Sequence, residues 1–287
     1  MAILLALVSA LAYGLSDFVG GLVSRHTSAW SVAVVANASG TLCLTAVAFF
    51  APGSPDPVDL AWAVLAGVGS GAGGGFLYRG FASGRMSVVA PVSAVGAALV
   101  PLAAGALGGE RFGALVWVGI LAALPGIWLV ASVPADDLSQ VNGETAAGRR
   151  GFADGLTDGI LAGLGFGVLF AALGQVPDSA GIWPLALAQA VSVPVVVLLA
   201  LVVRATWVPR GRTVRWATVA GALAAVATGS FLLSTQQGYL TIAGVLASLY
   251  PATTVLLAAV VLRERVHRAQ GVGLGLCALA VALVAAG

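Results

Sequence analysis

Lysine is absent from all 287 residues, and only 8% of the chain is charged: 13 arginines stand against 11 acidic side chains. An ordinary soluble domain carries roughly 25% charged residues. So few charges cannot coat a soluble core of this size, so a water-soluble fold is excluded. The missing lysine also removes the phosphate-binding Walker residue and with it a built-in ATP motor. The formal net charge is +2, with no long basic run, which argues against a nucleic-acid partner. Two cysteines, Cys43 and Cys277, lie inside apolar runs and read as buried free thiols. The two histidines, His26 and His267, stand at predicted helix ends with no clustered carboxylates or thiols, so no metal site is expected. The first 25 residues lack the basic start of a signal peptide and are long enough to span, so they read as a first helix.

What the chain has in abundance is long apolar runs. Ten stretches approach the ~20 residues that cross a ~30 Å hydrocarbon layer. They fall at 2–22, 31–51, 61–83, 87–108, 112–131, 156–175, 181–203, 214–236, 240–262 and 267–286. Backbone groups in lipid must be satisfied within the segment, and these runs are too long for barrel strands, so all ten are predicted helices. The fold class is therefore an all-α polytopic membrane protein. The most polar stretch, residues 132–155, has the composition of a linker and divides the chain into halves 1–131 and 156–287.

Sliding the chain against itself by 154 residues, without a gap, exposes a repeat. Gly67 meets Gly221, Gly75 meets Gly229, Ala98 meets Ala252, Glu110 meets Glu264, Arg111 meets Arg265 and Gly119 meets Gly273. Segments 3–5 thus repeat as segments 8–10. The correspondence of segments 1–2 to 6–7 is inferred from helix count. Five helices per copy is odd, so the second copy is expected to cross in the opposite sense, as two inverted five-helix repeats. Under this count Arg25, Arg79, Arg85, Arg149, Arg150, Arg204, Arg210, Arg212, Arg215, Arg263, Arg265 and Arg268 all belong to one side, and Arg111 alone to the other. The bias places the Arg-rich loops in the cytoplasm and both termini outside.

The pattern "AYGLSDFVGGLVSR" in segment 1, a Pro-bearing helix ending in "GGER" or "LRER", and a Gly-rich helix after it resemble the EamA branch of the drug/metabolite transporter superfamily. The resemblance implies a ten-helix carrier with a central cavity lined mainly by segments 1, 3, 4, 6, 8 and 9. Segments 5 and 10 would be more peripheral. It also implies cytoplasmic termini, where the arginine count of this chain points the other way.

Several motifs have competing readings. "GVGSGAGGG" contains dinucleotide-fingerprint spacing, but it lies within a membrane segment and not after a strand. Gly67, Gly71 and Gly75 share one helix face and read instead as a close-packing seam. Glu110 and Glu264 stand where an apolar run stops and read as interfacial anchors; direct contact with a substrate is the lesser alternative. Asp17 differs, because it lies fifteen residues into segment 1, beside Tyr13 and Ser16. A carboxylate there costs about 2.5–3.5 kcal/mol even on the lenient insertion scale. Arg79, next to Tyr78, lies at a similar depth in segment 3, and an Asp17–Arg79 ion pair is the expectation, with snorkelling of both as the alternative.

A second tier consists of uncharged polar residues inside segments: Asn37, Ser93, Gln189, Ser192, Gln236, Gln237, Ser248 and Tyr250. The resemblance gives weight to those on segments 4, 8 and 9. The expected substrate-cavity and coupling residues are therefore Asp17, Arg79, Tyr13, Tyr78, Ser93, Gln236, Gln237, Ser248 and Tyr250. Pro91, Pro101 and Pro251 free carbonyls and suit a gate or a fixed kink.

The expected function is secondary transport of a small polar or amphipathic solute by alternating access, with export the direction implied by the resemblance. Proton coupling through Asp17 is the accompanying expectation, since a desolvated carboxylate can take up a proton near neutrality. A non-transporting membrane scaffold or accessory subunit is the alternative. An enzyme is not expected, because no paired carboxylates, His cluster or activated nucleophile share one membrane plane. The expected setting is the plasma membrane, as a monomer or weak homodimer, with a small-molecule substrate and lipid as partners and no cofactor.

Overall fold

The computed structural model describes residues 1–51, 53–83, 86–131, 146–261 and 268–286. Its helices are α1 (Ala2–Ser24), α2 (Ala29–Ala48), α3 (Pro57–Ala82), α4 (Met86–Leu107), α5 (Ala114–Ala131), α6 (Ala146–Leu173), α7 (Trp183–Val202), α8 (Ala217–Thr235), α9 (Leu240–Ala247), α10 (Tyr250–Val261) and α11 (Arg268–Ala286). Among the described residues there is no strand. Each of the ten apolar runs is helical, and the ninth is divided between α9 and α10. Among the described residues, seven helices are long and apolar enough to cross a membrane, and three shorter apolar helices lie in α4, in α5 and across α9–α10. Large apolar side chains on the outside, such as Leu4, Leu11, Leu121 and Leu198, are each more than half exposed. Such a surface suits lipid and not water.

Local chemistry explains where the helices start and stop. α3 begins four residues earlier than the apolar run, because Pro57 occupies its first position and the Asp59 carboxylate accepts the Asp56 N–H at 2.9 Å. α6 starts ten residues before its apolar run, so part of the polar 132–155 stretch is helical; residues 132–145 lie outside the described residues. The ninth run breaks at Ser248 and Leu249, just before Pro251, whose ring cannot tolerate the carbonyl four residues earlier.

Packing is dominated by small residues that let backbones touch. α6 lies along both α3 and α4, α8 along α1 and α2, α7 along α3 and α2, and α5 along α11. A Cβ at Gly67 would meet Val191 of α7 at 2.7 Å, and one at Gly71 the Ser192 carbonyl at 2.6 Å. Gly69 faces the Gly165 carbonyl of α6, and Gly96 of α4 faces Gly163. Of the glycines with nucleotide-fingerprint spacing, Gly69 and Gly71 are therefore occupied in helix contacts, while Gly74 lines a cavity and a Cβ there would meet nothing within 4 Å.

These contacts are reciprocal at the 154-residue spacing. A Cβ at Gly119 would meet the Ala280 carbonyl at 3.1 Å, and one at Gly273 would meet the Gly126 carbonyl at 2.9 Å. Each residue of one contact lies 154 positions from a residue of the other. Gly14 abuts the Tyr250 carbonyl and Gly167 the Gly96 carbonyl, a similar pair in which Gly96 and Tyr250 are 154 positions apart and Gly14 and Gly167 are 153.

The loops collect at two ends of opposite charge. At one end Ser28 donates to the Thr206 carbonyl and Ser31 to that of Val208 at 3.2 Å, so the α1–α2 and α7–α8 loops meet. Arg25, Arg204, Arg210, Arg212 and Arg215 lie here. At the other end the Ser54 amide donates to the Ser179 carbonyl at 2.9 Å, and Ser234 donates to the Ala2 carbonyl at 2.8 Å. Glu110 belongs to this end. Its carboxylate accepts the backbone N–H groups of Leu240 and Thr241 at 2.7 and 3.1 Å. That ties the end of α4 to the start of α9 and satisfies amides that have no partner within the helix. The glutamate is thus a cap delivered across the fold and more than an interfacial anchor. Glu264 and Arg265 lie outside the described residues.

Candidate functional site

Midway along the bundle α1, α2, α3, α6, α7 and α8 enclose a cavity of about 40 Å³. Its polar lining is Tyr13, Ser16 and Asp17 from α1, Asn37 from α2, Ser70 and Tyr78 from α3, Gln189 from α7 and Thr228 from α8. Leu77, Phe166 and Leu169 supply much of the apolar wall. The volume has room for about three water molecules. Small-molecule sites usually offer ~300–1,000 Å³, so this conformation is closed around its centre. A larger recess of about 320 Å³, lined by Thr27, Ser28, Ser31, Trp207 and Arg210 among others, opens at the Arg-rich end and contains no carboxylate.

Asp17 is 7% exposed and lines the cavity. Among the described residues, no ion pair or hydrogen bond reaches its carboxylate. Tyr13 and Tyr78 line the same cavity as Asp17, and the Tyr250 ring lies against that of Tyr13 at 6.4 Å between centroids. Tyr13 packs edge-on against Phe170 at 5.6 Å between centroids, and Phe170 stacks on Phe231 at 4.5 Å. Among the described residues, the buried Tyr13 hydroxyl has no hydrogen-bond partner. Neighbouring polar groups are more fully engaged: Ser16 donates to the Ala220 carbonyl at 2.8 Å, Ser70 to Gln189 Oε1 at 3.2 Å, and Thr228 to its own helix at Ala224.

The expected Asp17–Arg79 pair does not form. Arg79 instead donates through Nε to Asp158 Oδ1 of α6 at 2.8 Å, and its Nη2 forms an ion pair with the same oxygen. Its guanidinium also lies 4.6 Å from the Phe76 ring centroid. The physical reason is the direction of the helices. Arg79 lies near the end of α3 and Asp158 early in the apolar run of α6, so both lie toward the Arg-rich end, with α3 and α6 in contact. Breaking a fully buried pair costs about 3–5 kcal/mol. Here the Asp158 side chain is 4% exposed but that of Arg79 is 34%, which places this link below that range.

The other expected residues divide. Tyr13, Asp17 and Tyr78 line the cavity, and Arg79 does not. Ser93 and Tyr250 bond to each other at 3.0 Å, joining α4 to α10 behind the Tyr13 ring. Ser248 donates to the Gly244 carbonyl of its own helix at 2.8 Å. Gln236 and Gln237 close α8 outside the cavity. The cavity draws instead on α2 and α7, through Asn37 and Gln189, where the resemblance pointed to segments 4 and 9.

The sequence profile of the EamA-like transporter family matches residues 1–132 and again residues 155–286. The chain belongs to the EamA-like transporter family. This EamA protein also shares its fold with a solved crystal structure that is 17% identical, with a TM-score of 0.69 over 98% of this chain and 95% of the other. No curated protein matches it. Family membership and the apolar helices make it a multi-span membrane protein of a transporter family. A small-molecule substrate and a lipid surround follow from that membership, and the family is one of transporters, generally not of enzymes.

Proposed function

We propose that the EamA protein is a secondary transporter, working as an exporter, that moves a small polar or amphipathic solute by alternating access through the Asp17 cavity. The observation that carries this reading is a buried carboxylate that has no hydrogen-bond or ion-pair partner among the described residues, at a cavity in the centre of the bundle. A charge in that setting marks a transport or proton-relay site more often than a structural one. The two halves act as inverted repeats around the cavity. The twofold family match and the reciprocal contacts at Gly119 and Gly273 support that geometry. Asp17 carries the coupling proton: loaded or protonated it can cross the closed state, and bare it cannot. Counterflow in liposomes separates this reading from a scaffold or accessory subunit. Saturable exchange of labelled metabolites that needs solute on the opposite side is expected; none across a metabolite panel would leave only the scaffold.

Orientation follows from charge. The Arg-rich end faces the cytoplasm and both termini face outside. A fluorescent protein fused after Gly287 should stay dark, while a periplasm-active reporter there should be active. Cytoplasmic fluorescence would reverse the assignment.

A further inference from the structure

We propose that the recess of about 320 Å³ at the Arg-rich end binds a phosphate group, supplied by the headgroup of an anionic membrane lipid. Nothing about this site depends on what the Asp17 cavity carries. The recess exists because two loops fold together. α7 ends in a left-handed turn at Arg204, φ 55°, and the Ala205 amide donates back to the Ala200 carbonyl at 2.8 Å. Thr206, Trp207 and Val208 are thereby laid against Thr27, Ser28 and Ser31 at the start of α2. The Thr206 and Val208 carbonyls are acceptors at this seam, and the Ser28 and Ser31 hydroxyls already occupy them. What the recess keeps is donors. Among the described residues, the hydroxyls of Thr27 and Thr206, the indole N–H of Trp207 and the Arg210 guanidinium donate no hydrogen bond, and Arg210 has no ion pair. Hydroxyls can turn to donate or accept, but a guanidinium and an indole only donate. The two loops, residues 25–28 and 203–216, hold five arginines and no Asp or Glu, so the potential around the recess is positive. An anion with several acceptor oxygens fits that set, and phosphate is the one that arginine grips with two parallel bonds.

Position selects the lipid as the source. The recess lies where α7 ends, and Leu201 forms part of its wall. Leu198, Leu201 and Val202 are 60%, 56% and 78% exposed, which makes the last turns of α7 a lipid-facing surface that runs into the recess. Trp207 lines it, and Trp216 is 65% exposed close by, as in the aromatic belt at headgroup level. A headgroup phosphate can therefore reach Arg210 while its acyl chains lie along α7. A soluble phosphate compound would leave that apolar side unused. Thr27 belongs to one loop and Thr206, Trp207 and Arg210 to the other, so the bound phosphate links the loops and stabilises the protein.

The test titrates the full chain in detergent with phosphatidylglycerol, with phosphatidylcholine, whose phosphate is offset by its own cation, and with glycerol 3-phosphate and inorganic phosphate. Bound lipid is read by native mass spectrometry and stability by thermal unfolding. Phosphatidylglycerol should be retained at least about fivefold more tightly than phosphatidylcholine and should raise the unfolding temperature. Arg210→Gln should lose about that fivefold. Arg212→Gln removes the same charge from the same loop without lining the recess, and should bind as the wild type does. Equal retention of the two lipids, or equal losses in the two variants, would overturn the site in favour of diffuse surface charge. Glycerol 3-phosphate or inorganic phosphate displacing the lipid at equal concentration would overturn the lipid source and leave a soluble phosphate as the ligand. A photoreactive phosphatidylglycerol should label within residues 201–210. Labelling confined to other segments would overturn the proposal even if Arg210→Gln did not fold.

Discussion

Asp17→Asn should yield a protein that folds as well as the wild type and shows only background counterflow. The expectation for stability comes from what the carboxylate lacks. Among the described residues, no partner loses a bond when Asp17 becomes Asn. Removing a charge from a membrane helix relieves a cost of about 2.5–3.5 kcal/mol on the insertion scale. Thermal unfolding in nanodiscs should therefore occur at the same temperature or higher. The expectation for flux comes from the same residue. With no carboxylate to bind a proton or a solute, neither half of the exchange cycle can be loaded, and the pH dependence of uptake should vanish with the rate. Full, still pH-dependent flux in Asp17→Asn would move the coupling site elsewhere. A large fall in unfolding temperature would mean that Asp17 is a structural residue.

The Arg79–Asp158 pair separates what was legible in the sequence from what was not. Depth alone marked Asp17 and Arg79 as charges inside apolar runs, and passed over Asp158, which also lies inside one. Matching Asp17 to Arg79 used distance from the helix start and ignored where each helix ends. Asp158, two residues past the start of its run, and Arg79, four residues before the end of its own, lie at the same level near the Arg-rich end. That level was readable. The start of α6 was not, because "AAGRRGFADG" has linker composition and its helix continues from an apolar stretch that follows it. The break before Pro251 was legible as chemistry, since proline ends a hydrogen-bond ladder wherever it falls. Ser70 and Thr228 could not be singled out, because a hydroxyl on a Gly- or Ala-rich helix looks the same whether it faces a neighbour or a cavity. Asn37 and Gln189 were visible as polar residues within apolar runs, but one chain does not say which runs face inward.

The glycine seam carries the other large effect. Gly165 of α6 lies against α3 so closely that a Cβ there would stand 2.5 Å from the Gly73 nitrogen and 2.7 Å from both the Gly69 oxygen and the Gly73 Cα. All three are backbone atoms, so no side chain can rotate away, and the helices themselves must separate. Overpacking by one methyl typically costs about 1–3 kcal/mol where neighbours can adjust. With backbone on every side, Gly165→Ala belongs at the top of that range, and Gly165→Val should fail to assemble. Gly229 of α8 is the control. A Cβ there meets nothing within 4 Å. Gly229→Ala should keep the fold and gain a few tenths to about 1 kcal/mol from helix propensity. Thermal unfolding followed by tryptophan fluorescence reads all three variants. Gly165→Ala as stable as the wild type would show that α3 and α6 can slide apart at no cost. The seam would then be a place where the carrier bends. A steep loss at Gly165 with no loss at Gly229 would mean that α3 and α6 move as one body, leaving the opening of the Asp17 cavity to the contacts of α1, α2, α7 and α8.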